Sequence, residues 1–188
     1  MLFFGLFFGF IILCGLVFVG IYNGLIGKRN RVNESLSSVD VMLKKRYDLI
    51  PNLVGAVDRY MEHEQGLLRE LTELRARAVS GSPTDAERAE LDQATSAALG
   101  QLMIAVENYP DLKANENFLQ LQSALNEVEE QLSASRRAYN ATVTAFNDAI
   151  EMFPSNVVAG MMGLAKRPWF KAEEAVHTTP DVAGLFDR

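Results

Sequence analysis

The fold is decided by residues 118–153, which read FLQLQSALNEVEEQLSASRRAYNATVTAFNDAIEMF. Apolar and aromatic side chains recur there mostly in alternating steps of three and four residues, a spacing that places them on one face of a helix. The members of this stripe are Phe118, Leu121, Leu125, Val128, Leu132, Tyr139, Val143, Phe146, Ile150 and Phe153. The pattern predicts a long helix from about Ala114 to the residue before Pro154.

A second stripe of the same period lies upstream, between Val32 and Leu74. It runs through Leu36, Val39, Leu43, Ile50, Leu53, Val57, Tyr60, Leu67 and Leu71, with Arg46 as its main polar interruption. The stripe predicts a helix over residues 29–79. A proline inside a helix removes one backbone hydrogen bond and clashes with the preceding turn, so we expect a bend or a short break near Pro51.

Short polar segments separate the remaining helices. Ser82 is a plausible N-cap with Pro83 at the first helical position, and the helix that follows runs to about Tyr109, before Pro110. Beyond Pro154, a short apolar helix begins near Ser155 and closes at residues 166–168.

No window shows sustained two-residue alternation, so a sheet has no support. The predicted fold is all-α, with an N-terminal transmembrane helix continuing into a soluble antiparallel bundle of three long helices plus a short fourth helix. The predicted bundle core includes Leu43, Leu53, Tyr60, Phe118, Leu125, Leu132, Tyr139 and Phe146.

Residues 2–27 form a separate apolar segment without a single charged side chain. About 20 apolar residues cross a hydrocarbon core, and the segment lacks the basic start and small-residue cleavage site of a signal peptide. The predicted organisation is a transmembrane helix over residues 1–27, a bundle over residues 28–165 and a tail over residues 166–188.

The basic residues are distributed unevenly around this segment. Lys28, Arg29 and Arg31 follow it closely, and no basic side chain precedes it. The positive-inside bias predicts a single pass with the N-terminus outside and the bundle in the cytoplasm, although a long downstream domain can be translocated regardless of flanking charge.

Glycines gather on one face of the predicted span and phenylalanines on the other. The glycine face consists of Gly5, Gly9, Gly20, Gly24 and Gly27. Glycines spaced by four residues let a second helix approach closely, which predicts a packing face for self-association or for a partner helix. The alternative is that glycine is simply common in membrane helices.

Composition excludes several chemistries. The net charge of −6 is carried entirely after Gly27, and this acidic surface argues against a nucleic-acid partner. The only cysteine, Cys14, lies in the apolar segment, and the two histidines, His63 and His177, are too few for a histidine-rich metal centre. We therefore expect no catalytic residues, no metal and no cofactor.

Polar residues crowd the predicted kink, where Arg46, Asp48, Pro51 and Asn52, with His63 further on, form a possible interaction site. The alternative is that these side chains bond to backbone groups that the kink leaves unpaired.

Several motifs resemble those of the LemA family. They are DLIPNLV at residues 48–54, ENYPDLKANENF at residues 107–118, RRAYN at residues 136–140, FN at residues 146–147 and WF at residues 169–170. The similarity extends in order over nearly the whole chain; it departs at Leu36, where the family often has tryptophan, and in the spacing from Val182 to Phe186.

The resemblance implies a bacterial inner-membrane protein with a bundle of long helices and no established enzymatic activity. It also implies partners, either an HtpX-type membrane metalloprotease or a TPM-domain membrane protein. Our leading hypothesis is a homo-oligomeric scaffold or adaptor held in the lipid bilayer. The alternatives are a metal-binding or enzymatic bundle that uses His63 and helix carboxylates, and a lipid-organising membrane protein.

Overall fold

The computed structural model describes residues 2–81 and 84–170, and these residues form helices and connecting segments without a strand. The helices are α1 (Leu2–Val57), α2 (Gln65–Ser80), α3 (Asp85–Val106), α4 (Pro110–Lys113), α5 (Glu116–Glu151) and α6 (Ser155–Met161), with a 3-10 turn at Glu62–Glu64. The predicted all-α fold is confirmed. The apolar N-terminal segment continues without a break into the bundle, since α1 is one helix of 56 residues, about 84 Å long at 1.5 Å per residue.

Four helices form the bundle, and side-chain pairs define their directions. Arg75 of α2 contacts Tyr47 of α1, and Ser35 of α1 contacts Thr142 of α5. Nearer the turn that joins α1 to α2, Gln65 bonds to Asp58, and further along α1, Arg46 pairs with Glu129 of α5. Residue numbers thus rise on α1 as they fall on α2 and α5, so both helices run antiparallel to α1. On α3, Arg88 pairs with Asp40 and Asp92 with Arg46 of α1, so α3 runs parallel to α1. The order is up, down, up, down.

The helix predicted over residues 29–79 is in fact two helices, and the break is not at Pro51. The first helix passes through Pro51 and ends at Val57, and the chain reverses over residues 58–64. The N–H groups of Tyr60 and Met61 both donate to the Val57 carbonyl, and Met61 is fully buried beneath the turn. Tyr60 was wrongly predicted in the core: it lies on the outside of this turn, 37% exposed.

Pro51 is accommodated because a neighbouring helix supplies the missing donor. Proline has no N–H, so the carbonyl four residues earlier, that of Tyr47, loses its helical hydrogen bond. Nε of Arg75 on α2 donates to this carbonyl at 3.1 Å. The polar residues that flank Pro51 do not serve this purpose: Asp48 pairs with Lys44, and Asn52 is exposed.

The cap of α3 also differs from the prediction. Thr84 is the N-cap: its hydroxyl accepts from the Glu87 N–H, and the Glu87 carboxylate accepts from the Thr84 N–H. The Thr84 N–H and the Thr84 hydroxyl both donate to the Glu87 carboxylate and hold the pKa of Glu87 below its usual range. Ser82 and Pro83, the predicted first residues, lie outside the described residues. At α5 the side chain of Asn115 accepts from the Phe118 N–H at 3.1 Å.

The core is continuous through the bundle. Of the residues predicted for it, those that are buried are Leu43, Leu53, Phe118, Leu125, Leu132, Tyr139 and Phe146. A smaller cluster lies at the end of the bundle nearest the apolar segment, where Val158 and Ala159 of α6 pack against Leu25 of α1.

The proline contact yields a prediction. We expect Arg75→Met to lower the free energy of unfolding by about 1–3 kcal/mol, because it leaves the Tyr47 carbonyl without a donor. In a Pro51→Ala background, the alanine N–H supplies the helical bond, and the same change should cost clearly less. Urea unfolding of the full chain in detergent, followed by circular dichroism, measures both costs. Equal costs in the two backgrounds would contradict the assignment.

Candidate functional site

A cluster of four charged side chains joins three helices; Arg46 and Asp92 are buried, Arg136 is largely buried and Glu129 is 38% exposed. Arg46 of α1 is fully buried. Its Nη2 atom lies 2.5 Å from Oδ1 of Asp92 on α3, and its Nη1 atom lies 3.2 Å from Oε2 of Glu129 on α5. Arg136, also on α5, completes the cluster with Nη2 at 2.5 Å from Oδ2 of Asp92. We call these four residues the charge cluster.

The charge cluster is electrically balanced, with two cations and two carboxylates. Ser96 Oγ accepts a further hydrogen bond from Arg46 Nη1 at 2.9 Å, and the Asp92 backbone carbonyl accepts one from Nη2 at 3.3 Å. The planar guanidinium thus uses its fork of donors on several acceptors at once, a geometry that lysine cannot reproduce. Nε of Arg46 is buried without a hydrogen-bond partner among the described residues.

Tyr47 adjoins the charge cluster on α1. Burial raises the pKa of its phenol, and the Arg46 guanidinium opposes that rise. The Arg46 guanidinium carbon lies 5.7 Å from the centre of the Tyr47 ring. Every charge of the cluster meets an opposite charge, so the cluster connects α1, α3 and α5, and only Glu129 is substantially exposed.

We expect loss of Arg46 to be far more costly than loss of an exposed cation on the same helix. Arg46→Met leaves the buried Asp92 and the partly exposed Glu129 with Arg136 as their one cation, and should cost about 3–5 kcal/mol in the free energy of unfolding. Lys44→Met, the matched control, removes only an exposed pair with Asp48 and should cost less than about 1 kcal/mol. Urea unfolding of both variants measures the difference, and similar costs would contradict a structural role for the charge cluster.

The residues of the predicted interaction site at the kink differ in burial, and the site stays a prediction. Arg46 alone among its members is buried, whereas Asp48, Pro51, Asn52 and His63 are all exposed. His63 lies in the 3-10 turn after α1, well beyond the charge cluster along the chain. Sequence reasoning missed Asp92 and Glu129 as partners of Arg46. The available signal was the position of Arg46, which falls within an apolar stripe where a core residue is expected.

An open cleft of about 300 Å³ lies beside the charge cluster, between α1, α2 and α3. Its polar lining consists of Asp40, Lys44, Asp48 and Arg88, together with Tyr47, and includes no histidine or cysteine. Among the described residues, no group of three or more histidine, cysteine, aspartate or glutamate side chains is placed to hold a metal ion. His177 lies outside them.

Two asparagines hold residues 167–170, which lie outside any helix and which we call the extended segment, against α5. Oδ1 of Asn147 accepts from the Arg167 N–H at 2.9 Å, and its Nδ2 donates to the Arg167 carbonyl at 3.0 Å. Asn140 makes the same pair of bonds with Phe170, both at 2.9 Å. Seven residues separate the two asparagines, so they share one helix face. Their side chains thus satisfy the backbone N–H and carbonyl groups of Arg167 and Phe170, which have no helical hydrogen bonds.

The side chains of the extended segment add to this attachment. The Phe170 ring is buried edge-on against Tyr139, with the ring centres 5.2 Å apart. Tyr139 donates its hydroxyl to the Pro168 carbonyl at 3.1 Å, and Trp169 Nε1 donates to Thr144 at 3.0 Å. Asn140 and Asn147 therefore fix the path of residues 167–170 along α5, away from the end of the bundle that lies nearest the apolar segment.

The glycine face of the apolar segment meets no other part of residues 2–81 and 84–170. A Cβ atom added at Gly5, Gly9, Gly20, Gly24 or Gly27 would meet no atom within 4 Å. The N-terminal part of α1 is long and apolar enough to cross a membrane, and none of its most apolar 18-residue stretch is buried against the rest of the described chain. The face is open to a second helix.

These features define a class: an all-helical bundle carried on an apolar N-terminal helix suited to membrane anchoring, with buried charges that join helices. The sequence model of the LemA family matches residues 35–183. The chain belongs to the LemA family.

Individual relatives agree with this assignment. The chain is 28% identical to Protein LemA of Metamycoplasma hominis, over 90% of this chain and 77% of the relative. It is 23% identical to Magnetosome protein MamQ 2 of Paramagnetospirillum magneticum, over 88% of this chain and 70% of the relative. Magnetosome protein MamQ of Magnetospirillum gryphiswaldense is 22% identical, over 86% of this chain and 70% of the relative.

Proposed function

We propose that the chain is a membrane-anchored scaffold without catalytic activity. It self-associates through the glycine face of its span and presents the bundle to another membrane protein. The observation that carries this proposal is the open glycine face on a helix that continues, unbroken, into the bundle.

No packing contact within the described part of the chain requires these glycines. Glycine in a helix interior costs about 1 kcal/mol relative to alanine in water, and here an added methyl group would find open space at all five positions. The glycines would let the backbone of a second helix come close. Small residues allow in this way the van der Waals packing that holds membrane helices together.

Two further observations support a scaffold. The buried charged groups pair with one another across α1, α3 and α5 and do not line a cavity suited to a substrate. In addition, relatives of the chain are named as magnetosome proteins, and we take this as support for a structural role.

The proposal includes an orientation and candidate partners. The basic residues that follow the span, Lys28, Arg29 and Arg31, favour a cytoplasmic bundle and an outward N-terminus in the bacterial inner membrane. The family resemblance makes an HtpX-type metalloprotease or a TPM-domain membrane protein the first partners to test. In-membrane crosslinking and identification of the captured proteins test them directly.

Self-association through the glycine face is tested with leucine substitutions in the full chain. We expect the combined Gly9→Leu and Gly24→Leu variant to weaken association about tenfold or more, corresponding to about 1.4 kcal/mol or more. Gly15→Leu is the matched control, since Gly15 is also unobstructed but lies about 130° from the centre of the face. Lysine-reactive crosslinking in vesicles, with the chain diluted in lipid, measures the dimer fraction.

A dimer fraction that falls equally in Gly15→Leu and in the double variant would contradict a specific glycine face. A chain that stays monomeric at every protein-to-lipid ratio would contradict self-association.

A further inference from the structure

The short helix α6 lies against the apolar segment that the sequence assigns to the membrane. Val158 and Ala159 of α6 are buried against Leu25, with Ile21 packed at the edge of the same cluster. Both Ile21 and Leu25 belong to the uncharged stretch that ends at Gly27. The end of α5 contributes Ala149 and Ile150 to this cluster.

The contact fixes the height of α6 relative to the membrane. Leu25 and Ile21 precede Lys28, the first charged residue, by three and seven positions. At 1.5 Å per residue they lie about 5 and 10 Å on the apolar side of that charge. A bilayer that covers the span to Gly27 therefore reaches the layer in which α6 lies.

The outward surface of α6 and of the turn before it is apolar. Phe153 is 83% exposed and Met161 73% exposed, and Met152 and Val157 are exposed as well; Asn156 is the exposed polar side chain of this surface. From Met152 to Ala165 the chain contains no charged residue. Large apolar side chains gathered on one surface are uncommon in contact with water and mark interaction sites.

Basic residues border this apolar surface, as they do on segments that lie in a membrane interface. Lys166 and Arg167 follow it directly, and Lys28 and Arg29 follow the cluster on α1. Lys166 forms an ion pair with Glu151, the last residue of α5. Asn147 holds the Arg167 backbone against α5, so the basic end of the segment has a fixed place.

We propose that α6 and the turn before it are a second membrane contact, which inserts Met152, Phe153, Val157 and Met161 into the interfacial layer of the bilayer. The occupant of this surface is lipid, because the surface is continuous with the membrane span and lies in the same layer. The contact sets the tilt of α1 and holds the base of the bundle against the membrane. This inference rests on the membrane anchoring in the proposed function.

The test uses the full chain in vesicles of neutral and anionic phospholipid, with one fluorescent label per chain. Labels are placed at Phe153→Cys and Met161→Cys in a Cys14→Ala background. Val41→Cys is the matched control, because Val41 is also an exposed apolar residue but lies about 20 Å beyond Lys28 along α1. The native Cys14, exposed within the span, carries the label that reports on anchoring itself.

We expect lipids with a quencher near the headgroup to quench the labels at 153 and 161 about threefold or more over the label at 41, as for residues in the interface. Dissolved iodide should show the opposite order. Cys14 should respond most to a quencher deep in the acyl chains. Quenching at 153 and 161 that matches position 41 would overturn the inference while leaving anchoring intact, provided that Cys14 is quenched.

Two other outcomes would also overturn the inference. Protection of 153 and 161 from iodide without quenching by lipid, lost when the chain is diluted in the bilayer, would assign the surface to a second copy. The same protection without dependence on dilution would assign the surface to contacts inside the chain. Absence of quenching at Cys14 would contradict the membrane anchoring on which the proposed function depends.

Discussion

A buried arginine has to be neutralised where it lies, and this requirement organises the bundle. Apolar stripes alone allow helices to slide and rotate with modest loss, because many arrangements bury similar areas. Arg46 prevents such sliding and rotation, since Asp92 and Glu129 must reach the same guanidinium from two other helices. A charge left unpaired in the interior costs several kcal/mol. The charge cluster therefore sets the register of α1 against α3 and α5, with Arg136 balancing its charge.

The register of α1 matters because this helix also forms the apolar N-terminal segment. With α1 fixed against α3 and α5, the antiparallel α5 returns to the base of the bundle and delivers α6 to Leu25. Asn147 and Asn140 then direct the following chain back along α5. The proposed scaffold role requires a long helix with an open glycine face at one end and a packed bundle at the other, and α1 joins these two parts.

Periodicity predicted most of the architecture, because apolar residues spaced by three and four identify buried helix faces wherever they occur. It failed where tertiary contacts decide the outcome. Pro51 signalled a break, but Arg75 from α2 supplies the donor that proline lacks. The true reversal after Val57 contains neither glycine nor proline and depends on burial of Met61. In the candidate site, Arg46 was visible as a polar residue in an apolar stripe, whereas the carboxylates that meet it come from distant positions that only the fold brings together.

The most direct test of the claim that paired charge fixes the bundle is a double-mutant cycle on the full chain. The two single variants are Arg46→Met and Asp92→Leu, and urea unfolding gives the free energy of each and of the combination. Removing both partners leaves Arg136 and Glu129 as a balanced pair. We therefore predict that the double variant loses less free energy of unfolding than the two single variants together, by about 2 kcal/mol or more. Additive losses would contradict the account.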